Sequence, residues 1–397
     1  MKDLLIFTHG MEIGGAERAL LGLLDSLDTT RCQTDLFLMR HYGALLQYIP
    51  ENINLLPEKK QYASLEIPLV TTIKRRQFGV AWGRLYGRVR SKLREKELGY
   101  YGGSLIPLEY SHKYTKFAMP AISANEYDCA ISFMTPHYFV AEKVRAKQKI
   151  AWIHTDYTHI NVDVTSELAM WSKYDRIASI SDAVTESFLK VFPSLASRIV
   201  LIENILPEKL VRTDATADVS AEMPDDGTVR LLSIGRFCAA KNFDNVPDIC
   251  RRLLEMGWAV KWYLIGYGGD EALIRRKITE SGMEEHVMIL GKKDNPYPYI
   301  AACDLYVQPS RYEGKAVTVR EAQMLGKPVV ITNYATSASQ LEDGVDGIVV
   351  PMDNAGCAEG IAALLRSPEK MAQLAENCRE RDYSNAQEIE KIYNMME

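Results

Sequence analysis

Short apolar runs bounded by turn residues alternate with helix-period stretches along the whole chain. This alternation predicts parallel strands joined by crossover helices. Runs at 4–8, 34–38, 129–133, 149–153, 176–180 and 199–203 read as strands of a first half, with a helix opening at Gly14-Gly15 and running through Leu24. Residues 207–227 are polar, acidic and without apolar periodicity, as expected of a linker with a surface excursion. The rhythm then restarts, with strands at 229–234, 259–265, 287–290, 303–307, 329–332 and 347–350. Helices are expected at 245–256, 273–281, 319–325, 355–366 and 368–380. The implied fold is α/β, two doubly wound halves joined near residue 206.

Residues 74–116 break this rhythm. They carry Lys74, Arg75, Arg76, Arg84, Arg88, Arg90, Lys92, Arg94, Lys96, Lys113 and Lys116, opposed only by Glu95, Glu97 and Glu109. Phe78, Trp82, Tyr86, Tyr100 and Tyr101 are interleaved, and Leu85, Val89 and Leu93 share one helical face. Two readings stand. One is a solvated helix packed on its own domain; the other is a basic amphipathic element that meets an anionic membrane surface or grips a phosphate-linked acceptor. Composition does not choose between them.

The length of 397 residues supports the two-domain reading, since single cores stop growing near roughly 250–300 residues. Hydrophobic residues at 47% and charged residues at 25% are ordinary for a soluble globular chain, which excludes disordered and fibrous classes. The net charge of −5 argues against a protein that wraps nucleic acid. Seven scattered cysteines with no CxxC pair show neither zinc-site nor disulfide spacing, and suit a reducing cytoplasm. The apolar run at 4–7 is too short for a signal-peptide core or a spanning helix. The expectation is a cytoplasmic protein, soluble or held peripherally at the inner face of the membrane.

In open α/β sheets ligands bind beyond the carboxyl ends of the strands, so the candidate chemistry lies there. Gly14 and Gly15 open the first helix, where paired glycines allow close backbone approach and the helix end offers free N–H groups. After strand 229–234, Gly235 and Arg236 are followed by Lys241, two cations able to converge on a diphosphate. After strand 303–307 come Glu313, Gly314, Lys315, Ala316 and Val317, then Glu321 on the helix that this loop opens. Carboxylates beside an anion site make sense if they bind hydroxyls: Glu321 a ribose diol, Glu313 a sugar hydroxyl. His154 follows strand 149–153 directly and is a candidate for hydrogen bonding a reacting sugar or for acid/base work.

The order GGAER (14–18), GR (235–236), KN (241–242), then Glu313 and Glu321 eight residues apart leading into EAQMLGKPVV, resembles the retaining GT-B glycosyltransferases of family 4. The bacterial capsule and cell-wall polysaccharide branch is the nearest fit. Glu203-Asn204-Ile205, Ile180-Ser181-Asp182 and Leu264 to Gly269 add to the likeness, which spans nearly the whole chain. The resemblance implies two Rossmann-like domains facing across a cleft: an acceptor-binding domain at 1–205 containing the basic 74–116 insertion, a nucleotide-sugar domain at 206–384, and a last helix at 385–397 returning to the first domain. It further implies that Arg236 and Lys241 hold the donor diphosphate, Glu321 the ribose, and Glu313 with amides at 314–316 the sugar. Gly14 and Gly15 would face phosphates or acceptor, and His154 the transferred sugar. No cofactor or metal is expected, the cation pair standing in for Mg²⁺. The partners implied are a nucleotide-sugar donor with UDP as the expected nucleotide, and a glycan or lipid-diphosphate-linked acceptor; no nucleic acid is implied. One departure is Gly314-Lys315-Ala316, where many relatives have Phe-Gly or Phe-Pro. The alternatives are a nucleotide-sugar epimerase of the same shape and a non-catalytic nucleotide- or carbohydrate-binding protein.

Overall fold

A computed structural model of the chain describes residues 1–100 and 103–396. Tyr101 of the basic segment and Glu397 of the expected last helix lie outside the described residues. The chain forms two compact units, Met1–Ile205 with Ala386–Glu397, and Leu206–Asn385.

The first unit is built on a seven-stranded sheet of β1 (Lys2–Thr8), β2 (Cys32–Leu38), β3 (Asn54–Leu55), β4 (Glu126–Ser132), β5 (Arg145–Ile153), β6 (Arg176–Ser179) and β7 (Ile199–Leu201). Their spatial order is β3-β2-β1-β4-β5-β6-β7, with every pair parallel. The order reverses between β1 and β4, which is where such sheets open a ligand crevice. Leu4, Leu5, Ile6 and Phe7 are wholly buried, because a parallel strand covered by helices on both faces is apolar throughout. The last helix, Ile389–Met396, belongs to this unit. Glu390 pairs with Arg31 at 2.8 Å, Tyr393 Oη accepts from the Asp28 amide at 2.7 Å, and Lys391 Nζ donates to the Leu201 carbonyl at 2.9 Å.

The basic segment folds as helices Leu69–Lys74, Phe78–Leu98 and Ile106–Thr115. Glycine at 83 and 87 lets the second helix lie directly on the third: a Cβ there would fall 2.5 Å from the Tyr114 carbonyl oxygen and 2.7 Å from that of Tyr110. Some of the cations turn inward. Arg84 donates to the Ser64 and Ile67 carbonyls, Arg94 to Asp163, and Lys113 to Ser166. On the side of Phe78–Leu98 away from that packing, Phe78, Trp82, Leu85, Tyr86, Val89 and Leu93 are exposed. At about 100° per residue they form one stripe, flanked by exposed Arg88, Lys92 and Arg90. The helix therefore packs on its own unit, as the first reading expects, and keeps an apolar face exposed.

The second unit has six parallel strands, β8 (Val229–Ile234), β9 (Val260–Ile265), β10 (Val287–Gly291), β11 (Leu305–Gln308), β12 (Val329–Thr332) and β13 (Ile348–Val350), ordered β10-β9-β8-β11-β12-β13. Successive residues feed opposite cores, since side chains alternate across a strand. Leu231, Trp262, Leu264 and Val307 pack with the helix Val246–Glu255, while Leu232, Tyr263, Ile265 and Tyr306 pack with Val317–Met324. The expectation of a linker at 207–227 is corrected here. Its helix Glu208–Asp214 buries Val211 completely, and Met223 is 1% exposed in the same core. Val211, Ala215, Val219 and Met223 recur every four residues, but acidic and polar residues and two further alanines dilute the signal, which is why this stretch read as solvent-facing.

Candidate functional site

The second unit's sheet reverses order between β8 and β11, and the loops following those two strands carry its candidate chemistry. Gly235 and Arg236 follow β8, and Arg236 is exposed. Lys241 ends a 3-10 turn, Ala239–Lys241, and its aliphatic stem lies along Gly235, where a Cβ would stand 3.1 Å from the lysine Cε. Lys241 Nζ donates to Glu313 Oε1 at 2.6 Å, and Ser310 Oγ donates to the same oxygen at 2.5 Å. Two of the expected site residues are thus brought into direct contact, although 72 positions separate them. Asn242 adopts a left-handed conformation (φ 61°) and donates to the Pro309 carbonyl at 2.9 Å, while Arg311 clasps Asp244 at 2.8 Å. These bonds lace the two loops together.

The helix expected from 319 begins at Val317, with Ala316 as its N-cap. Gly314 and Lys315 lie in the half-buried turn before it, and Val317 is buried. The Ala316 amide donates to Gln340 Oε1 at 2.7 Å, and Gln340 Nε2 returns a bond to the Ala316 carbonyl at 3.2 Å. A ligand that uses this amide must displace Gln340. Glu321 lies on the second turn, wholly buried, and accepts from Tyr297 Oη at 3.1 Å. Ser310, Gln340, Tyr297 and Thr336, which donates to the Glu313 carbonyl at 2.9 Å, are supporting residues that sequence reading missed. They are ordinary residues at irregular spacing, and only the fold gathers them.

In the first unit Gly14 is the extended N-cap of the helix Gly15–Asp25 and Gly15 is exposed. The Glu17 carboxylate reaches back over this helix end, so that a Cβ on Gly14 would lie 2.1 Å from Glu17 Oε2. An acid there already complements the N-terminal dipole, and an anionic ligand would have to push it aside. His154 follows β5 and lines a cavity of about 140 Å³. Its ring stands 4.6 Å from that of Phe133 and stacks on Trp152 at 6.2 Å. Burial lowers its pKa to about 4, against a hydrogen bond to the Phe133 backbone, and its Nε2 is buried without a hydrogen-bond partner.

The same cavity is walled by Leu105, Leu108, Glu109 and His112 from the insertion, by 134–138 after β4, and by Glu167, Met170 and Trp171 of the helix Val164–Trp171. Burial holds His112 and His137 neutral, with pKa values near 3. It also raises the Glu167 carboxyl to about 7, although Tyr157 Oη and Trp171 Nε1 donate to it at 2.9 and 3.3 Å. Glu109 is 8% exposed. Its Oε1 accepts from Tyr138 Oη and from Ser166 Oγ, and its Oε2 has no hydrogen-bond partner. None of this cavity apart from His154 was visible in the sequence, because it is assembled from separate segments spread over residues 105–171.

Residues 216–381 match the sequence profile of the family described as glycosyl transferases group 1. That segment, under half of the chain, is similar to group 1 glycosyltransferase domains. It contains Arg236, Lys241, Glu313 and Glu321, so the laced loops lie within the matched segment. The chain is 29% identical over 145 residues to the amylovoran biosynthesis glycosyltransferase AmsK of Erwinia amylovora, covering 34% of this chain and 35% of AmsK. It is 28% identical over 170 residues to the lipopolysaccharide core biosynthesis glycosyltransferase LpsE of Rhizobium meliloti, covering 43% of this chain and 48% of LpsE. The chain thus spans less than half the length of these two curated relatives. Among solved structures, Anabaena HepE in complex with UDP and glucose superposes with a TM-score of 0.70 at 17% identity, covering 99% of each chain. The fold is GT-B, two parallel-sheet α/β domains, of which the second holds the matched segment.

Proposed function

We propose that this protein is a retaining glycosyltransferase that moves a sugar from UDP to a hydroxyl of a glycan or lipid-linked glycan acceptor in surface-polysaccharide synthesis. The observation that carries the reading is the Lys241–Glu313 pair at the switch point of the second unit's sheet, with Arg236 exposed in the loop that also carries Lys241 and Glu321 buried on the adjoining helix. Arg236 and Lys241 supply positive charge where a departing diphosphate would develop negative charge. Glu321 and Glu313 offer oxygens to ribose and sugar hydroxyls. UDP in the HepE complex supports the choice of nucleotide, and the lipopolysaccharide role in the name of LpsE supports the acceptor class.

In the proposed reaction the acceptor oxygen bonds the anomeric carbon on the face that UDP leaves. The carbon–oxygen bond to the diphosphate breaks, and a donor phosphate oxygen takes the acceptor proton. Neither a nucleophilic carboxylate nor a metal enters this scheme, so EDTA leaves the rate unchanged. Lys241→Ala and Glu321→Ala each lower transfer by about 10²–10³-fold, the range for losing one preorganised charge or hydrogen-bond group. A radiolabelled UDP-sugar assay over a glycan panel checks this, and wild-type rates in both variants would sink it. Sugar isomerised from donor alone would instead mark an epimerase.

The exposed stripe of Phe78–Leu98 supports peripheral attachment to an anionic cytoplasmic leaflet, where a lipid-linked acceptor would lie. No described helix is long and apolar enough to cross a membrane. Co-sedimentation with phosphatidylglycerol vesicles, lost in Trp82→Ser/Leu93→Ser and weakened by salt, is the expected result; equal binding to neutral vesicles would refute the charge argument.

A further inference from the structure

We propose that Gln308 is a positioning residue for the donor sugar: through Ser310 it turns Glu313 so that one carboxylate oxygen stays on Lys241 and the other is left for a sugar hydroxyl. The identity of the ligand rests on the transfer reading above; the hydrogen-bond relay itself does not. The strand expected at 303–307 runs on to Gln308, the last residue of β11, and Gln308 is wholly buried. A buried amide at a strand end is costly unless its polar atoms are paired. Here both are. Tyr306 Oη bonds Gln308 Oε1 at 2.9 Å, Gln308 Nε2 bonds Ser310 Oγ at 2.8 Å, and Ser310 Oγ bonds Glu313 Oε1 at 2.5 Å. Tyr306 and Ser310 are as fully buried as Gln308.

The direction of each bond is fixed from the Glu313 end. The carboxylate, paired with Lys241 at 2.6 Å, has no proton to give, so Ser310 must donate its single hydroxyl hydrogen to it. Ser310 Oγ then has only lone pairs to offer Gln308, which must face it with the amide N–H. That leaves Gln308 Oε1 toward Tyr306, whose hydroxyl donates. A side chain without an N–H at 308 cannot complete this sequence. The outcome for Glu313 is asymmetric: Lys241, Ser310 and, at 3.4 Å, Gln308 itself all donate to Oε1. Oε2 accepts from no described residue and belongs to the 10% of the side chain that water still reaches. The main chain of the same turn is held by other groups. Thr332 Oγ1 donates to the Ser310 carbonyl at 2.5 Å, and Thr336 Oγ1 to that of Glu313 at 2.9 Å. The relay therefore aims a carboxylate on a turn that the threonines already hold.

The test uses the full chain and the variants Tyr306→Phe, Gln308→Met and Ser310→Ala; Met keeps an unbranched chain at 308 but has no N–H. The donor is whichever of UDP-glucose, UDP-galactose and their N-acetylamino counterparts the wild type turns over fastest. In Gln308→Met and Ser310→Ala, kcat/KM for this donor is expected to fall by about 10–100-fold, the range for one hydrogen bond to a charged group. UDP, which carries no sugar, binds both variants as it binds the wild type by calorimetry. Tyr306→Phe, farthest from Glu313 and nearly isosteric, loses less activity with the same split, and it decides the question if Gln308→Met does not fold. UDP affinity that falls in step with kcat/KM would make the relay merely structural and overturn the proposal, as would wild-type kcat/KM in all three variants. Urea unfolding of Gln308→Met, Ser310→Ala and the double variant reads the relay without ligand: the double variant costs no more than the larger single one, and additive costs overturn it. A coupled relay in a wild type that neither binds UDP nor transfers sugar would remove the transfer reading, and the sugar role with it. Transfer with additive urea costs would remove the relay alone.

Discussion

The two units share a parallel-sheet architecture but handle charge in opposite ways at the carboxyl ends of their strands. In the second unit two ion pairs lace the loops and remain partly in contact with water, while Glu321 is wholly buried. Lys241 and Glu313 are 19% and 10% exposed, Arg311 and Asp244 35% and 19%, and each pair joins two loops. In the first unit the cavity holds its titratable groups in their neutral forms through burial: His112, His137 and His154 have pKa values near 3, 3 and 4, and Glu167 is raised to about 7. The first arrangement suits an anion that exchanges one set of charge contacts for another. The second suits an uncharged guest. The two units therefore offer two electrostatic regimes, with Trp152, Tyr157 and Trp171 among the walls of the cavity in the first.

The largest consequence of this contrast is unequal acid sensitivity. A histidine whose folded pKa lies far below its unfolded value of about 6.5 binds its proton mainly in the unfolded chain. Its contribution to stability is complete above pH 6.5 and is lost as pH falls toward the folded value. At pH 4.5 this amounts to about 2–3 kcal/mol for each of His112, His137 and His154. In the second unit, Asp248 is held to about 2 despite its burial, by Arg251, Asn354 and Arg252, so its loss begins only below pH 4. Hydrogen exchange between pH 7 and 4.5, resolved by peptide, should show the first unit opening while the second stays protected. Parallel loss of protection in both would break the comparison.

A change of opposite sign is expected at Glu167. Its folded pKa is raised, so it binds its proton mainly in the folded chain, and its ionisation costs stability as pH climbs from about 4.5 to 7. Gln keeps an oxygen for Tyr157 and Trp171 but has no charge to bury. Relative to wild type, Glu167→Gln should therefore gain on the order of 2–3 kcal/mol across that window and hold the gain above pH 7. Urea midpoints of the two proteins at pH 5 and pH 8 measure it. A gap that does not change with pH would show that the carboxylate is already solvated.

The same contrast explains what could be read from sequence. Most strands of both sheets were legible because buried parallel strands are apolar runs, and Val329–Thr332 falls where its run does, whereas the two-residue edge strand Asn54–Leu55 has no such run and was missed. The loops of the second unit were legible as candidates because charged residues directly after an apolar run are conspicuous, and Lys241 and Glu313 do meet. Glu109 was counted among the few acids of a basic segment, since sequence cannot distinguish a solvated glutamate from one buried against Tyr138 and Ser166. Likewise, Val211 and Met223 fell within a stretch taken for a linker because polar and acidic residues outnumber the few apolar ones there. Local chemistry was readable; environments assembled from distant segments were not.

The smallest effect tests whether exposed pairs in the second unit contribute to stability at all. Glu271 and Arg275 lie one turn apart on the helix Glu271–Glu280, bonded at 2.8 Å with side chains 39% and 59% exposed. At such exposure the Coulomb gain is nearly offset by side-chain ordering and screened by salt, leaving about 0.3–0.5 kcal/mol. In the first unit Arg94 bonds Asp163 at a similar 2.9 Å, but Asp163 is only 5% exposed, accepts from Tyr110 Oη and caps the helix Val164–Trp171. Asp163→Ala removes a cap and strands two donors, for about 2–4 kcal/mol. Arg275→Ala should shift the urea midpoint barely beyond error, and 0.5 M NaCl should erase even that shift. If Arg275→Ala costs as much as Asp163→Ala, then burial is not what separates the two units, and the explanation must be sought in the number of hydrogen bonds each carboxylate receives.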